Sequence, residues 1–374
     1  MVVLNGYEKN RLQPCILNAD DELLVQTFYK NLPSGGNFEI QLNRLPSFFE
    51  ALAVEGTENI VIAVFDTFQK TLTGVGILSN KQVYYNGNAI TLGYISSLRI
   101  KTDMRKSLVL ALLYKQFYTF CETSGLYPSL ISVFESNKTA RKIFTNYRAN
   151  GPGFKQLGKY YTLIFNQLPV FKVHSNGTVI RKAQLTDIPL IIDFIQSEKV
   201  NYNFLPVYSN QSFNNTNGLL KNLNTSNIYL AIQNNNIVGT LGIWNQTDFR
   251  QWIITKYSLR LKYLKPIINV WQILNKKPTF PPENKTINYK TISLFITQNN
   301  NPDIAKLLLN KAIAHKRTNI YYALGLFENS EWLTKIKFNN TKLTNILYFV
   351  FWKPSEPFVT DANIKNLYIE AGSL

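Results

Sequence analysis

The chain has 374 residues, 45% of them hydrophobic, and a formal net charge of +17. That length favours two domains with real cores, and the charge either calls for an anionic partner (a nucleotide-like cofactor, nucleic acid, an acidic protein or a membrane surface) or reflects a composition rich in Asn, Lys, Ile and Tyr. Two cysteines, Cys15 and Cys121, and two histidines, His174 and His315, argue against a disulfide framework, a Ser-His-Asp or Cys-His triad and a His-rich metal site; with no signal-like start and no apolar run of the roughly 18–20 residues that a span needs, a reduced, cytoplasmic, metal-free protein is expected.

In chain order, Pro14 to Asn18 is a short apolar segment. Asp20 is placed to cap a helix carrying Leu23, Leu24 and Phe28, which Pro33-Ser34-Gly35-Gly36 ends. Leu45 to Ala53 suggests a second short helix. Three strands follow: Ile60–Phe65, Leu72–Tyr85 and Ala89–Ile100. The last two are joined by Asn86-Gly87, a strong hairpin signal. On the third strand, simple alternation puts Leu92, Tyr94, Ser96, Leu98 and Ile100 on one face.

After that strand comes a basic turn, KTDMRK, then a long amphipathic helix from about Lys106 to Glu122. Val109, Leu112, Leu113, Phe117, Phe120 and Cys121 form its apolar stripe, so Cys121 reads as a packed thiol. A strand feeding a helix N-terminus makes an anion site, because the first helical N–H groups lack partners and the dipole is positive there. Lys101, Arg105, Lys106 and Ser107 stand at that point; the alternative is a solvated turn between core elements. Pro128–Phe134 is the next strand. Ser136-Asn137 caps a helix over Lys138–Tyr147, and Tyr160–Phe165 closes the series.

Gln167 to Asn176 shows no period, and the order of elements then restarts. A short strand at Thr178–Arg181 precedes a helix opened by Asp187-Ile188-Pro189. A hairpin spans Ile228–Gln233 and Ile237–Trp244. A strand at Thr291–Thr297, a helix from Pro302, a strand at Tyr321–Phe327 and a final strand at Leu347–Trp352 follow. IVIAVF-turn-LTGVGIL is answered by IYLAIQ-turn-IVGTLGI, FESN by FENS and YYTLIF by LYFVFW. This predicts an internal duplication of one mixed α/β unit, with domains at 1–168 and 169–374. An insertion at about 247–290 mixes Arg and Lys with Trp and Tyr. Its composition suits a membrane surface or nucleic acid, but Pro266 interrupts it and helices packed at the domain interface are expected.

The element order resembles the GNAT superfamily of acetyl-CoA-dependent N-acetyltransferases, as two tandem copies covering nearly the whole chain. In its pyrophosphate-loop position stands LRIKTDMRKSLVLALL. Ile100 and Arg105 match the strand end and the arginine region, while Leu108 and Leu110 stand where the family has glycines. FESNKTARKIF matches the strand–helix junction through Asn137 and Ala140. The family's general-acid tyrosine falls on Phe144, with Tyr147 one turn later. In the second copy NPDIAKLLLNKA has neither a glycine pair nor an Arg cluster, which implies a degenerate copy serving structure or the acceptor cleft.

The resemblance implies an acyl-CoA cofactor, acetyl-CoA or another, and attack of a small-molecule or peptide amine on its thioester. Cofactor contacts are implied at Leu98, Arg99, Ile100, Arg105, Lys106, Ser107, Leu108, Val109, Asn137 and Arg141. Amides near Leu98–Ile100 would hold the acyl carbonyl, and Ser96 or Ser97 a water. Tyr147, Glu135 and Asp66 are the catalytic candidates. Two alternatives stand beside this: a non-catalytic module of the same fold that binds an acyl carrier, nucleotide or protein, and a nucleic-acid- or membrane-surface-binding protein.

Overall fold

Apolar strands of period two, punctuated by turns that only residues tolerant of positive φ can make, build most of this molecule. The computed structural model describes residues 11–32, 38–105, 107–124, 128–145, 151–313, 315–338, 340–352 and 366–374. In chain order the elements are β1 (Leu12–Leu17), α1 (Glu22–Lys30), β2 (Phe38–Asn43), β3 (Glu58–Asp66), β4 (Thr71–Tyr85), β5 (Asn88–Ile100), α2 (Val109–Ser124), β6 (Ser129–Phe134), α3 (Lys138–Thr145) and β7 (Gly153–Phe165). They continue with β8 (Val179–Lys182), α4 (Ile188–Ser197), β9 (Leu205–Pro206), β10 (Ile228–Gln233), β11 (Asn236–Trp244), β12 (Gln251–Tyr257), α5 (Leu259–Leu274), β13 (Tyr289–Thr297), α6 (Pro302–Ala312), β14 (Tyr321–Phe327), α7 (Trp332–Lys335) and β15 (Thr341–Phe351).

Among the described residues, thirteen strands form one mixed sheet in the order β1-β3-β4-β5-β6-β15-β7-β14-β13-β11-β10-β8, with β9 on the side of β4. Two runs of elements repeat within it. In the first, β3, β4 and β5 are antiparallel neighbours, and α2 then carries the chain to β6, parallel to β5. In the second, β10, β11 and β13 are antiparallel, and α6 leads to β14, parallel to β13. The last strand of each run crosses over: β7 pairs β14, β15 pairs β6, and the two pair with each other through the middle of the sheet. The sequence echoes therefore fall on matching hairpins and on the two exchanged strands.

Turn chemistry fixes the registers. Asn86 and Gly87 (φ 48° and 78°) close the β4–β5 hairpin, and Asn234 and Asn235 (φ 49° and 63°) close β10–β11, the mirror-image turn that matches strand twist. A glycine in the second strand of each run lets a helix approach. A Cβ on Gly76 would stand 2.8 Å from Phe117 Cζ of α2, one on Gly74 would overlap Val109, and one on Gly239 would stand 2.7 Å from Ile304 Cγ2 of α6. On α2, Val109, Leu113, Phe117 and Cys121 are fully buried, each contributing about 1.5–3 kcal/mol of transfer free energy.

Several expectations change. Pro14–Leu17 belongs to β1, paired with β3. The cap before α1 comes from Asn18, whose side chain accepts from Asp20 N. Leu45–Ala53 holds only a 3-10 turn, Glu50–Val54, and α2 starts at Val109 after another 3-10 turn, Thr102–Met104. The 247–290 region opens with β12, which pairs β2 away from the main sheet. Pro266 sits inside α5 without ending it. Rather than packing at an interface, α5 turns many apolar side chains to solvent. No described helix is long and apolar enough to cross a membrane.

Candidate active site

β5 and β6 pair for only three residues, Gly93↔Ser129, Tyr94↔Leu130 and Ile95↔Ile131. Beyond them β5 runs on to Ile100 against β4 alone, and a gap opens in the sheet. At its edge Ser97 has φ 53°, and the β4 register shifts between Val75 and Ile77: one extra residue bulges from β5. Hydrogen-bond parity shows the consequence. Gly93 N donates to Pro128 O on the β6 side, whereas Lys101 N donates to Thr73 O on the β4 side. In a regular strand these amides, eight residues apart, would point the same way. The bulge reverses the alternation and turns the amides of Leu98 and Ile100 into the gap. It also splits the face expected for β5: Leu92 and Tyr94 pack in a cluster with Tyr160 and Phe349, while Leu98 and Ile100 pack with α2.

A buried polar cluster fixes this bulge. Tyr29 OH donates to Ser97 O at 2.8 Å, and Arg44 Nη2 donates to Ser97 Oγ at 3.0 Å. The same Arg44 nitrogen is 2.6 Å from Glu55 Oε1, and Ser96 Oγ donates to Glu55 Oε2 at 2.7 Å. Arg250, from the second run, comes within 3.7 Å of Glu55 and donates to Leu374 O at 2.9 Å. Burial alone would raise the Glu55 pKa, but Arg44, Arg250 and the Ser96 hydroxyl outweigh it and hold the carboxyl below its usual range. Lys81, on β4, is buried, and its Nζ makes no hydrogen bond or ion-pair contact among the described residues. Desolvation pushes its pKa down to about 8 against the opposing pull of Glu370 and Glu55.

At the mouth of the gap the chain leaves β5 through Lys101, whose Nζ donates to Thr71 Oγ1 at 3.0 Å, and passes the exposed Arg105. Ser107 Oγ donates to Met104 O at 2.6 Å and accepts from Val109 N at 3.3 Å, capping the start of α2. Leu108 O receives Leu112 N, and Val109 is buried over Gly74. Arg99 Nη1 donates to Leu98 O at 3.0 Å. Lys106 and Tyr147 lie outside the described residues.

The remaining candidates are dispersed. Asn137 Oδ1 caps α3 by accepting Ala140 N at 3.1 Å, and Arg141 Nη1 donates to Glu135 O at 3.2 Å. Glu135, just past β6, is held by Lys159 at 2.8 Å, which lowers its pKa. Asp66 is the last residue of β3, two strands from β5 and opposite Thr71. Arg11 reaches one of its oxygens at 2.7 Å, and the amides of Phe68 and Gln69 reach the other. The Arg11 hydrogen bond leads in lowering its pKa. Asp66 thus closes the β3–β4 hairpin with both oxygens engaged. Phe144 is buried against Phe154 and Tyr348.

A second gap repeats the first. β13 and β14 pair only over Tyr289↔Tyr321, Lys290↔Tyr322 and Thr291↔Ala323. Leu294 has φ 47° where the β11 register shifts. This gap is filled: residues 366–371 line it, and Glu370 Oε1 accepts Leu294 N at 2.8 Å, Tyr368 OH at 2.6 Å and Tyr208 OH at 3.1 Å. Arg44, Glu55, Lys81, Arg250 and Glu370 escaped the sequence reading. Glu50, Glu55 and Glu58 all fall between Phe48 and Phe65, and nothing in the sequence marks Glu55 among them.

No family model matches the sequence, and no curated protein matches it. Solved structures do. Saccharomyces cerevisiae N-myristoyltransferase with bound myristoyl-CoA superposes with a TM-score of 0.57 at 12% identity, over 95% of this chain and 85% of that one. The same enzyme with myristoyl-CoA and inhibitors gives 0.52 at 11% identity, over 94% and 81%. A GCN5-related N-acetyltransferase from Anabaena variabilis gives 0.51 at 9% identity, over 90% and 72%. At such identities the likeness is one of fold, and over nearly its whole length this chain has the GNAT fold of the N-acyltransferases.

Proposed function

We propose that the chain is an acyl-CoA-dependent N-acyltransferase whose thioester lies in the gap between β5 and β6. One observation carries this reading: the bulge at Ser97 turns two backbone donors, the amides of Leu98 and Ile100, into a place where no other described strand receives them. Such fixed donors match the oxygen of a thioester carbonyl and the oxyanion that forms from it. An amine attacks the carbonyl carbon, the C–S bond breaks, and the thiolate of coenzyme A leaves. Glu135, ionised through its contact with Lys159, is the base assigned to the amine proton, through water. The phosphates are assigned to Lys101 and Arg105, at the N-terminus of α2 beside Ser107, Leu108 and Val109, and Lys106, outside the described residues, joins them by its place in the sequence alone. Asn137 and Arg141 at the start of α3 flank the pantetheine arm. The acceptor is a small-molecule or peptide amine.

Calorimetric titration with acetyl-CoA and with myristoyl-CoA tests the assignment and reads the acyl length. Micromolar binding of one of them, weakened at least about tenfold by Arg105→Glu, is the expected result. Binding of neither, or binding that Arg105→Glu and Lys101→Glu leave unchanged, overturns the site.

A second reading, a binding module without turnover, draws on Phe144, which fills the general-acid position with a ring that has no proton to give. Coenzyme A binding with no acyl transfer to a panel of amines would carry that reading.

A further inference from the structure

Helix α5 is built inside out. Three of its polar side chains face the protein: Lys265 Nζ donates to Pro281 O at 2.7 Å, Asn269 Oδ1 accepts Phe280 N at 2.9 Å, and Gln272 is buried. Its apolar side chains face water. Leu259, Tyr263, Ile267, Val270, Trp271 and Leu274 are 53–79% exposed, and their spacing of four, four, three, one and three residues puts them on one broad stripe. A stripe of this size, left open on a structured helix, marks a surface that something covers.

The charges around it say what. Arg260 and Lys262 are exposed on the same helix, Lys277 Nζ stands 5.1 Å from the Trp271 ring, and Lys256 and Lys276 are exposed just before and after it. Lys262 faces Glu283 only at 3.8 Å. An apolar stripe with cations along its border and aromatic rings within it suits the boundary between acyl chains and anionic headgroups, where Lys and Arg stems lie along the apolar layer and their charges reach the phosphates. A second copy of the chain suits it less well, because a two-fold contact through this stripe brings cations together: Arg260 and Lys262 meet themselves when the helices run parallel and the Lys276 and Lys277 end when they run antiparallel. The helix has 16 residues, about 24 Å of rise, which is short of a bilayer core, so it lies on the surface. The pairing of β12 with β2 and the Ser258 cap, whose Oγ accepts Leu261 N at 3.3 Å, hold it there without using the exposed face.

We propose that α5 docks the protein on an anionic lipid bilayer, with the stripe from Leu259 to Leu274 in the interface. The test is cosedimentation of the full chain with vesicles of phosphatidylcholine alone and of phosphatidylcholine with about 30% phosphatidylserine, at low and high salt. Variants are Ile267→Glu with Leu274→Glu, and Arg260→Glu with Lys262→Glu. All four sites are exposed, and circular dichroism checks that the fold is kept. Binding confined to the serine-lipid vesicles, weakened by salt and reduced at least about tenfold by each double variant, is expected. No vesicle binding overturns the proposal, as does binding indifferent to both variants. A dimer seen by light scattering that Ile267→Glu with Leu274→Glu dissolves, without vesicle binding, assigns the face to a second copy and overturns it too.

Discussion

Arg44 Nη2 lies 2.6 Å from Glu55 Oε1, with both side chains out of solvent, and the same nitrogen donates to Ser97 Oγ. One ion pair therefore sits directly beneath the bulge that opens the first gap. Glu55→Gln leaves two buried guanidinium groups, Arg44 and Arg250, without their counter-charge. Removing one partner of a buried pair costs about 3–5 kcal/mol, and the lower end is expected because Gln keeps an acceptor. Denaturant unfolding measures it. Acyl-CoA affinity should fall with the loss of the bulge geometry, and a Glu55→Gln protein of unchanged stability would mean the pair contributes nothing.

Lys81 gives a pH prediction with a definite sign. Its folded pKa, about 8, lies below the ordinary lysine value of 10.5. The unfolded chain therefore binds more protons between those values, and stability rises as pH climbs from about 8 toward 10.5. Below pH 8 the buried ammonium costs up to about 3 kcal/mol. Lys81→Met should remove the cost, stabilise the protein at pH 7 by about 1–3 kcal/mol and flatten the curve above pH 8. Unfolding free energies of both proteins at pH 7 and pH 10 decide it; a variant less stable at pH 7 would show that the attraction of Glu370 and Glu55 outweighs desolvation.

Much of this architecture was legible in the sequence because local chemistry and tertiary structure agree in it. The Asn86-Gly87 turn, the β3–β4 hairpin and the stripe on α2 each follow from period and turn residues. So does the repeat, since two similar hairpins need similar words. What stayed hidden was set by distance. The exchange of β7 and β15 pairs residues such as Tyr160 and Asn345, which no local pattern links. The bulge at Ser97 has no glycine to announce it, and it moved Leu98 and Ile100 to the face opposite Leu92 and Tyr94. Arg250 meets Glu55 across almost 200 residues, and the Arg11 partner of Asp66, a catalytic candidate in the sequence, is likewise far from it in the chain.

The two strand glycines separate stability from cofactor binding. Gly74→Val drives a side chain into Val109 at the start of α2, and Gly239→Val drives one into Ile304 at the start of α6. Overpacking of this kind costs about 1–3 kcal/mol, so both variants should unfold earlier by similar amounts. Only Gly74→Val moves the helix start assigned to the phosphates, so only it should weaken acyl-CoA binding, by about tenfold or more. Equal loss of binding in both variants would place the cofactor elsewhere.

Glu370 should behave as the opposite of Glu55. Burial raises its pKa above the ordinary carboxylate value despite hydrogen bonds from Tyr368, Leu294 N and Tyr208, whereas the pKa of Glu55 is lowered. For Glu370 the folded state binds more protons than the unfolded one, so its contribution to stability is complete below the ordinary glutamate value and is lost as pH rises through the folded pKa. For Glu55 the contribution is complete above the ordinary value and is lost as pH falls through the folded one. Glu370→Gln, which retains an acceptor for the Leu294 amide, should therefore gain stability relative to wild type as pH rises from 4 to 8, while Glu55→Gln should lose it. Glu370→Ala strands three buried donors and should cost about 2–4 kcal/mol at any pH. Because the 366–371 segment fills the second gap in each of these proteins that folds, titration should give one acyl-CoA per chain throughout. Unfolding curves for wild type and the two Gln variants across that range test the signs directly; slopes of the same sign for both would mean that the two carboxylates do not differ as their surroundings require.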